Sequence, residues 1–296
     1  KFRREIAERI GRDVPAARLY AARLYDWLQR EYALDENSAR NLIAHVQKQL
    51  DAVGVLSSDQ TIVVESFQDA VGDPRMVIHS PFGGRVNGAW ALALTSALEE
   101  KFGITIEAQT NDDGILFHFP PTFTASPAES VQQMSAPEAR ARILRQLPDS
   151  ALFGARFRMS AARALLLPRA VGKKRTPFWL QRLKAKDLLA LVRQLDDFPF
   201  VAETYRECLR DALDLPHLEE LLEKIQRGEI RVVPIETLAP SPIAASLLNQ
   251  FASVYMYEWD APKAERQLQT LAQHRALVDD LVGDAKSREF LKPTAI

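Results

Sequence analysis

The chain has little of what makes small-molecule chemistry readable. Cys208 is the one cysteine in 296 residues, which excludes an internal disulfide and any cysteine-built metal cluster. Five histidines, His45, His79, His118, His217 and His274, fall at no metal-ligand spacing, so no metal site is expected. A phosphate-cradling Gly-x-x-x-x-Gly-Lys-Ser/Thr loop is missing: Gly172-Lys173-Lys174 lacks both the preceding glycine and the hydroxyl residue, and this chain alone is not expected to hydrolyse ATP. No apolar run approaches the ~20 residues of a membrane span, and no apolar stretch of signal-peptide type follows Lys1-Phe2-Arg3-Arg4-Glu5. A cytoplasmic protein with no membrane partner is expected. Internal repeats and low-complexity tails are absent. A first residue of Lys1 rather than Met sets the expectation of a piece of a longer chain.

What is present is a 47% hydrophobic, 26% charged sequence, long enough for about two domains at ~150 residues each. Its net charge of −1 conceals a strong polarity. Residues 140 to 186 hold thirteen cations against the single acid Asp149, about +12, which leaves the rest near −13. Within that stretch an apolar run from Ala151 to Leu167 predicts a helix stopped by Pro168, with Arg156 and Arg163 on one face and Ser160 between them. A short basic loop, Arg169 to Thr176, follows. Pro177 then opens a second helix through Phe178, Trp179 and Arg182. Cations that track a backbone beside aromatics that can stack bases are the components of a single-strand nucleic-acid groove. The candidate nucleic-acid-binding residues are therefore Arg156, Arg158, Arg163, Arg169, Lys173, Lys174, Arg175, Trp179 and Arg182, with Arg85 added from a glycine-rich turn.

Along the chain, residues 1–56 read as a helical segment, its third helix opening at Asp35-Glu36-Asn37 and ending at Gly54. Residues 57–120 change period: two strands at Thr61–Glu65 and Met76–His79, a helix capped by Asn87 and ending at Gly103, then strands at Ile104–Ile106 and Ile115–Phe119 around Asn111-Asp112-Asp113-Gly114. This predicts a small antiparallel sheet covered on one face by a helix. Residues 121–137, rich in Pro, Ser and Thr, read as a linker. Residues 138–296 read as a mainly helical domain with the basic hairpin, one strand at Glu229–Ile235, and helices at Pro242–Tyr257 and Ala261–Val282. The fold class is α+β, mainly α.

Three constellations invite catalytic readings. Asp112 and Asp113 are first a turn. Glu203 and Glu207, four apart on one helix, are as simply helical salt-bridge partners of Arg206 and Arg210. His79-Ser80-Pro81-Phe82-Gly83-Gly84-Arg85 is either a loop that lets backbone approach a ligand or a strand-to-helix turn needing positive φ.

Several long stretches carry a family resemblance. His79 to Leu94, Asp112 to Ile115, Ser150 to Arg158, Arg175 to Trp179, Glu203 to Leu209, Pro240-Ser241-Pro242 and Tyr257 to Pro262 resemble, in the same order, the large helicase-related (Lhr) family of superfamily 2 helicases. The resemblance runs from about Phe2 to the C-terminus. It implies part of the accessory domain of an ATP-dependent enzyme that moves 3′ to 5′ on single-stranded DNA and unwinds duplexes, RNA:DNA hybrids included, with a role in DNA repair. The implied partners are single-stranded DNA or an RNA:DNA hybrid, and the RecA-like motor and winged-helix domains of the parent. ATP and Mg2+ are implied for that parent, and no cofactor for this chain. The family's ATPase motifs are absent here, so no catalytic residue is carried over.

Two alternatives stand beside this reading. One is an interaction scaffold that docks on motor domains, with the basic segment as a contact surface. The other is an independent nucleotide-processing enzyme built on Glu203, Glu207 or the Asp112 and Asp113 pair.

Overall fold

The computed structural model describes residues 1–11, 17–125, 127–167, 170–171, 174–193, 195 and 198–258. Three helices lead: α1 (Phe2–Gly11), α2 (Ala17–Tyr32) and α3 (Glu36–Val53). Asp35 caps α3 by accepting from Ser38 N, and Gly54 closes it in the left-handed region at φ 71°, the conformation that favours glycine.

The strands β1 (Thr61–Gln68), β2 (Pro74–His79), β3 (Glu107–Asn111), β4 (Gly114–His118) and β7 (Arg231–Glu236) form one sheet in the order β3-β4-β2-β1-β7. The first four pair antiparallel, whereas β7 runs parallel to β1, with Thr61 opposite Arg231 and Ser66 opposite Glu236. The sheet is thus mixed, and it draws its fifth strand from the region read as the helical domain. Helix α4 (Gly84–Phe102) connects β2 to β3.

Both faces of the sheet are covered, not one. Ile62, Val64, Met76, Ile78, Ile115 and Phe117 pack with Trp90 and Leu94 of α4. Phe67, Val77 and Leu116 point the other way, among Ile6, Leu28, Val46 and the residues Ile243 and Leu247 of α11 (Pro242–Glu258). The sign of this was the unbroken apolar run Ile62-Val63-Val64, since a strand with one wet face alternates.

The segment expected as a linker carries α5 (Ala128–Gln133), whose Val131 is fully buried. Phe123 stacks on Phe119, with ring centroids 4.5 Å apart. Proline and serine there set turns without keeping the chain out of the core. Next come α6 (Ala136–Gln146), a 3-10 turn (Leu147–Asp149), α7 (Ala151–Arg163), a two-stranded ribbon of β5 (Ala170–Val171) and β6 (Lys174–Arg175), α8 (Phe178–Val192) and α9 (Pro199–Arg206). A π-helical stretch (Glu207–Ala212) continues α9, and α10 (Leu215–Gln226) precedes β7. The helix expected at Ala261–Val282 lies outside the described residues. Among the described residues no helix is long and apolar enough to cross a membrane.

Candidate nucleic-acid interface

Helices α7 and α8 stand as a hairpin. Ser150 begins α7, its hydroxyl accepting from Phe153 N at 3.1 Å and donating to the Leu147 carbonyl at 2.6 Å. Phe153, Phe157 and Ala161, four apart, are buried and form the inner stripe that a 3.6-residue period predicts. Phe153 also meets Tyr205 of α9 edge-on at 4.8 Å. The helix ends at Arg163, short of the expected Leu167. Leu165 takes the left-handed conformation at φ 61°, and Leu166 N returns to the Ala161 carbonyl at 2.9 Å. Pro168 disfavours helical backbone at the residue before it, so the turn falls upstream of the proline. The basic loop expected after it contains the β5-β6 ribbon, with Val171 paired to Lys174 and Ala170 to Arg175.

The cations divide into spent and unspent. Arg140 grips Glu219 with two bonds of 2.5 and 2.7 Å. Arg142 holds Glu100 and Glu138. Arg163 pairs at 3.0 Å with Glu207, a buried carboxylate of the π-helical stretch. Ser160, expected between Arg156 and Arg163 on one face, is buried as well, so that face turns toward the π-helical stretch. Cys208 lies there too, its thiol pushed up to about 11 by burial, an effect that the nearby Arg156 charge opposes. By contrast Arg158 and Arg182 sit over the ring of Phe178, at 4.6 and 5.2 Å from its centroid. Among the described residues Arg156, Arg158, Arg182, Lys184 and Lys186 form no ion pair. Phe178 and Trp179 are 59% and 66% exposed. Arg169 and Lys173 lie outside the described residues, and Lys174 and Arg175 are placed by their backbone in β6.

Arg85 is elsewhere. It opens α4, donates to the Arg210 carbonyl and lies 4.0 Å from Asp214, so it meets the π-helical stretch near its far end. The turn before it is a strand-to-helix connection that needs a positive φ. Gly83 takes φ 92°, and Asn87, expected as the cap, sits inside the first turn. Asn87 accepts from the Ser80 hydroxyl at 2.6 Å and donates to the Ser80 and Asn111 carbonyls at 2.9 and 2.8 Å. Gly84 N donates to Asp112 at 2.7 Å, and Asp113 pairs with Arg3. His79, fully buried, meets Glu65 at 2.8 Å, and Glu65 also accepts from Ser241 N, the Ser241 hydroxyl and Thr237. Burial pushes the Glu65 carboxyl up, but the bonds from His79 and Ser241 outweigh it and hold it below the ordinary range. Glu203, the other acid of the proposed pair, is held by Arg206.

The DEAD/H associated family model matches residues 56–244. The chain belongs to the DEAD/H associated family. It is 43% identical, over 86% of its own length, to the Lhr helicase/probable uracil glycosylase of Mycolicibacterium smegmatis, and 38% identical over 88% to the Lhr helicase/uracil glycosylase of Escherichia coli. It spans 17% of the length of each. A solved structure of Mycobacterium smegmatis helicase Lhr bound to ssDNA and AMP-PNP is 40% identical and superposes with a TM-score of 0.72, covering 82% of this chain and 30% of that one. In this DEAD/H associated chain the motif residues Ser80, Asn87, Asp112 and Ser241 do structural work. What sequence reading missed at the hairpin is Phe178 as the seat for Arg158 and Arg182. The four-residue step from Phe178 to Arg182 was visible, whereas the approach of Arg158 depends on how α7 meets α8.

Proposed function

We propose that this chain is the nucleic-acid-gripping accessory region of an ATP-dependent DNA helicase whose motors lie outside it. The observation that carries the reading is the likeness, over 82% of the chain, to an Lhr helicase bound to ssDNA. The unpaired cations of the α7-α8 hairpin beside exposed aromatics support it, since a strand contacted away from the motors needs phosphate and base partners. Arg156, Arg158, Arg163, Arg169, Lys173, Lys174, Arg175, Trp179, Arg182 and Arg85 are its candidate contacts. ATP and Mg2+ belong to the parent enzyme, as do the RecA-like and winged-helix partners. A cytoplasmic setting and a role in DNA repair are part of the same proposal.

The test is equilibrium binding of the chain to a fluorescent single-stranded oligonucleotide across a salt series. If about six cations meet phosphates, log affinity falls against log salt with a slope of roughly −4. The triple change Lys173→Glu, Lys174→Glu and Arg175→Glu weakens binding and flattens the slope. Salt-independent affinity, or no binding at low salt, would overturn the reading.

A further inference from the structure

The two aromatic residues that open α8 have different surroundings. Phe178 is occupied by the guanidiniums of Arg158 and Arg182. An arginine held over a ring has given up part of its rotamer freedom before it meets a ligand. Trp179 belongs to no aromatic pair or cation-π contact among the described residues, and two-thirds of it is exposed. Helical spacing places Arg182, Leu183 and Lys186 three, four and seven residues on, along the same face, and all three are exposed. Neither cation of that face is in an ion pair among the described residues. The acid Asp187 lies further round the helix.

A bare indole beside pre-ordered guanidiniums fits a ligand with an open π face and negative charge next to it. An unpaired nucleotide has both, whereas a duplex hides its base faces and offers phosphates and base edges. Leu183 extends the apolar floor beside the ring.

We propose that the outer face of α8 is a base-stacking site for single-stranded nucleic acid: Trp179 takes the face of one unpaired base, and Arg158 and Arg182, seated on Phe178, take adjacent phosphates. This rests on the nucleic-acid reading above and adds which form of strand is preferred and which ring selects it. Every base has a π face, so the site tolerates sequence.

The experiment compares wild type, Trp179→Ala, Trp179→Phe and Arg182→Ala on a single-stranded oligothymidine and on a long blunt duplex of two fully paired strands, with thermal melts to check that each variant folds. Trp179→Ala is expected to bind the single strand at least about fivefold more weakly, with duplex affinity and salt slope unchanged. Trp179→Phe recovers most of the loss. Arg182→Ala lowers the salt slope by about one. Tryptophan fluorescence quenched by the oligonucleotide in wild type loses that quenching in Trp179→Ala. Unchanged single-strand affinity in Trp179→Ala, with wild type binding normally, would overturn the stacking site and leave the nucleic-acid reading standing. Equal loss on duplex and single strand would assign the ring to packing and also overturn it. If wild type binds neither substrate, both readings fall.

Discussion

At the scale of single residues, the decisive positions are those where a side chain or its absence fixes a turn. Gly114 pairs with His79 across β2 and β4, and a Cβ there would meet the Ile78 carbonyl oxygen well inside contact distance. Gly114→Ala is expected to cost about 1–3 kcal/mol, in the range of overpacked sites, measured as a lower urea midpoint at unchanged slope. Gly54, Gly103 and the Asp112-Asp113 turn were legible because glycine and turn chemistry act locally. Asn87 looks like a cap in the sequence, and is not one, for the opposite reason. Its amide bonds to carbonyls of two other segments, which no local pattern displays. Arg163 was legible as a cation but not as the partner of Glu207, 44 residues away.

Elements are legible in the sequence where periodicity is strong, and less so where pairing decides. Helices α3 and α11 lie close to their expected bounds, whereas β3 begins at Glu107 and not at Ile104, because the register with β4 outranks the β-branched Ile104-Thr105-Ile106 run. His118 at the end of β4 gives this element a pH dependence. Burial, helped by the Arg75 charge, pushes its pKa down to about 3. A depressed folded value means that the unfolded chain takes up the proton first. Stability from His118 is therefore complete above its ordinary value near 6.5 and is lost as the pH falls from there toward 3, by up to about 1.4 kcal/mol per pH unit. Urea midpoints at pH 7, 5 and 4 should fall in wild type and fall less in His118→Phe. Equal falls in both would remove His118 as the cause.

For the whole molecule, the segmental reading at 57–120 and 138–296 meets a sheet that takes strands from both. Composition marks where a chain turns polar, and it carries no signal for a strand that returns after more than a hundred residues. A chain ending at Gly228 lacks β7 and α11, which uncovers the β1 edge and removes Ile243, Ala244 and Leu247 from the second core. That truncation, and residues 57–120 alone, are expected to show no cooperative thermal transition by circular dichroism. A sharp melt in either would establish an independent domain. The candidate site was legible as charge beside aromatics, and its division into spent and unspent cations was not, because Glu219, Glu100 and Glu207 come from distant elements.

The pairing of β1 with β7 also sets an order of events during synthesis. At ~5–20 residues per second, β1 leaves the ribosome on the order of ten to thirty seconds before the strand that completes it. Throughout that interval β1 still presents an open edge, the kind of surface that recruits other chains, and over its last part, once Val192 has emerged, the basic hairpin is out as well. Closing so distant a contact is slow in itself. A nascent chain of this kind gains from a chaperone that shields one strand, and changes that strengthen the hairpin do nothing to shorten the wait.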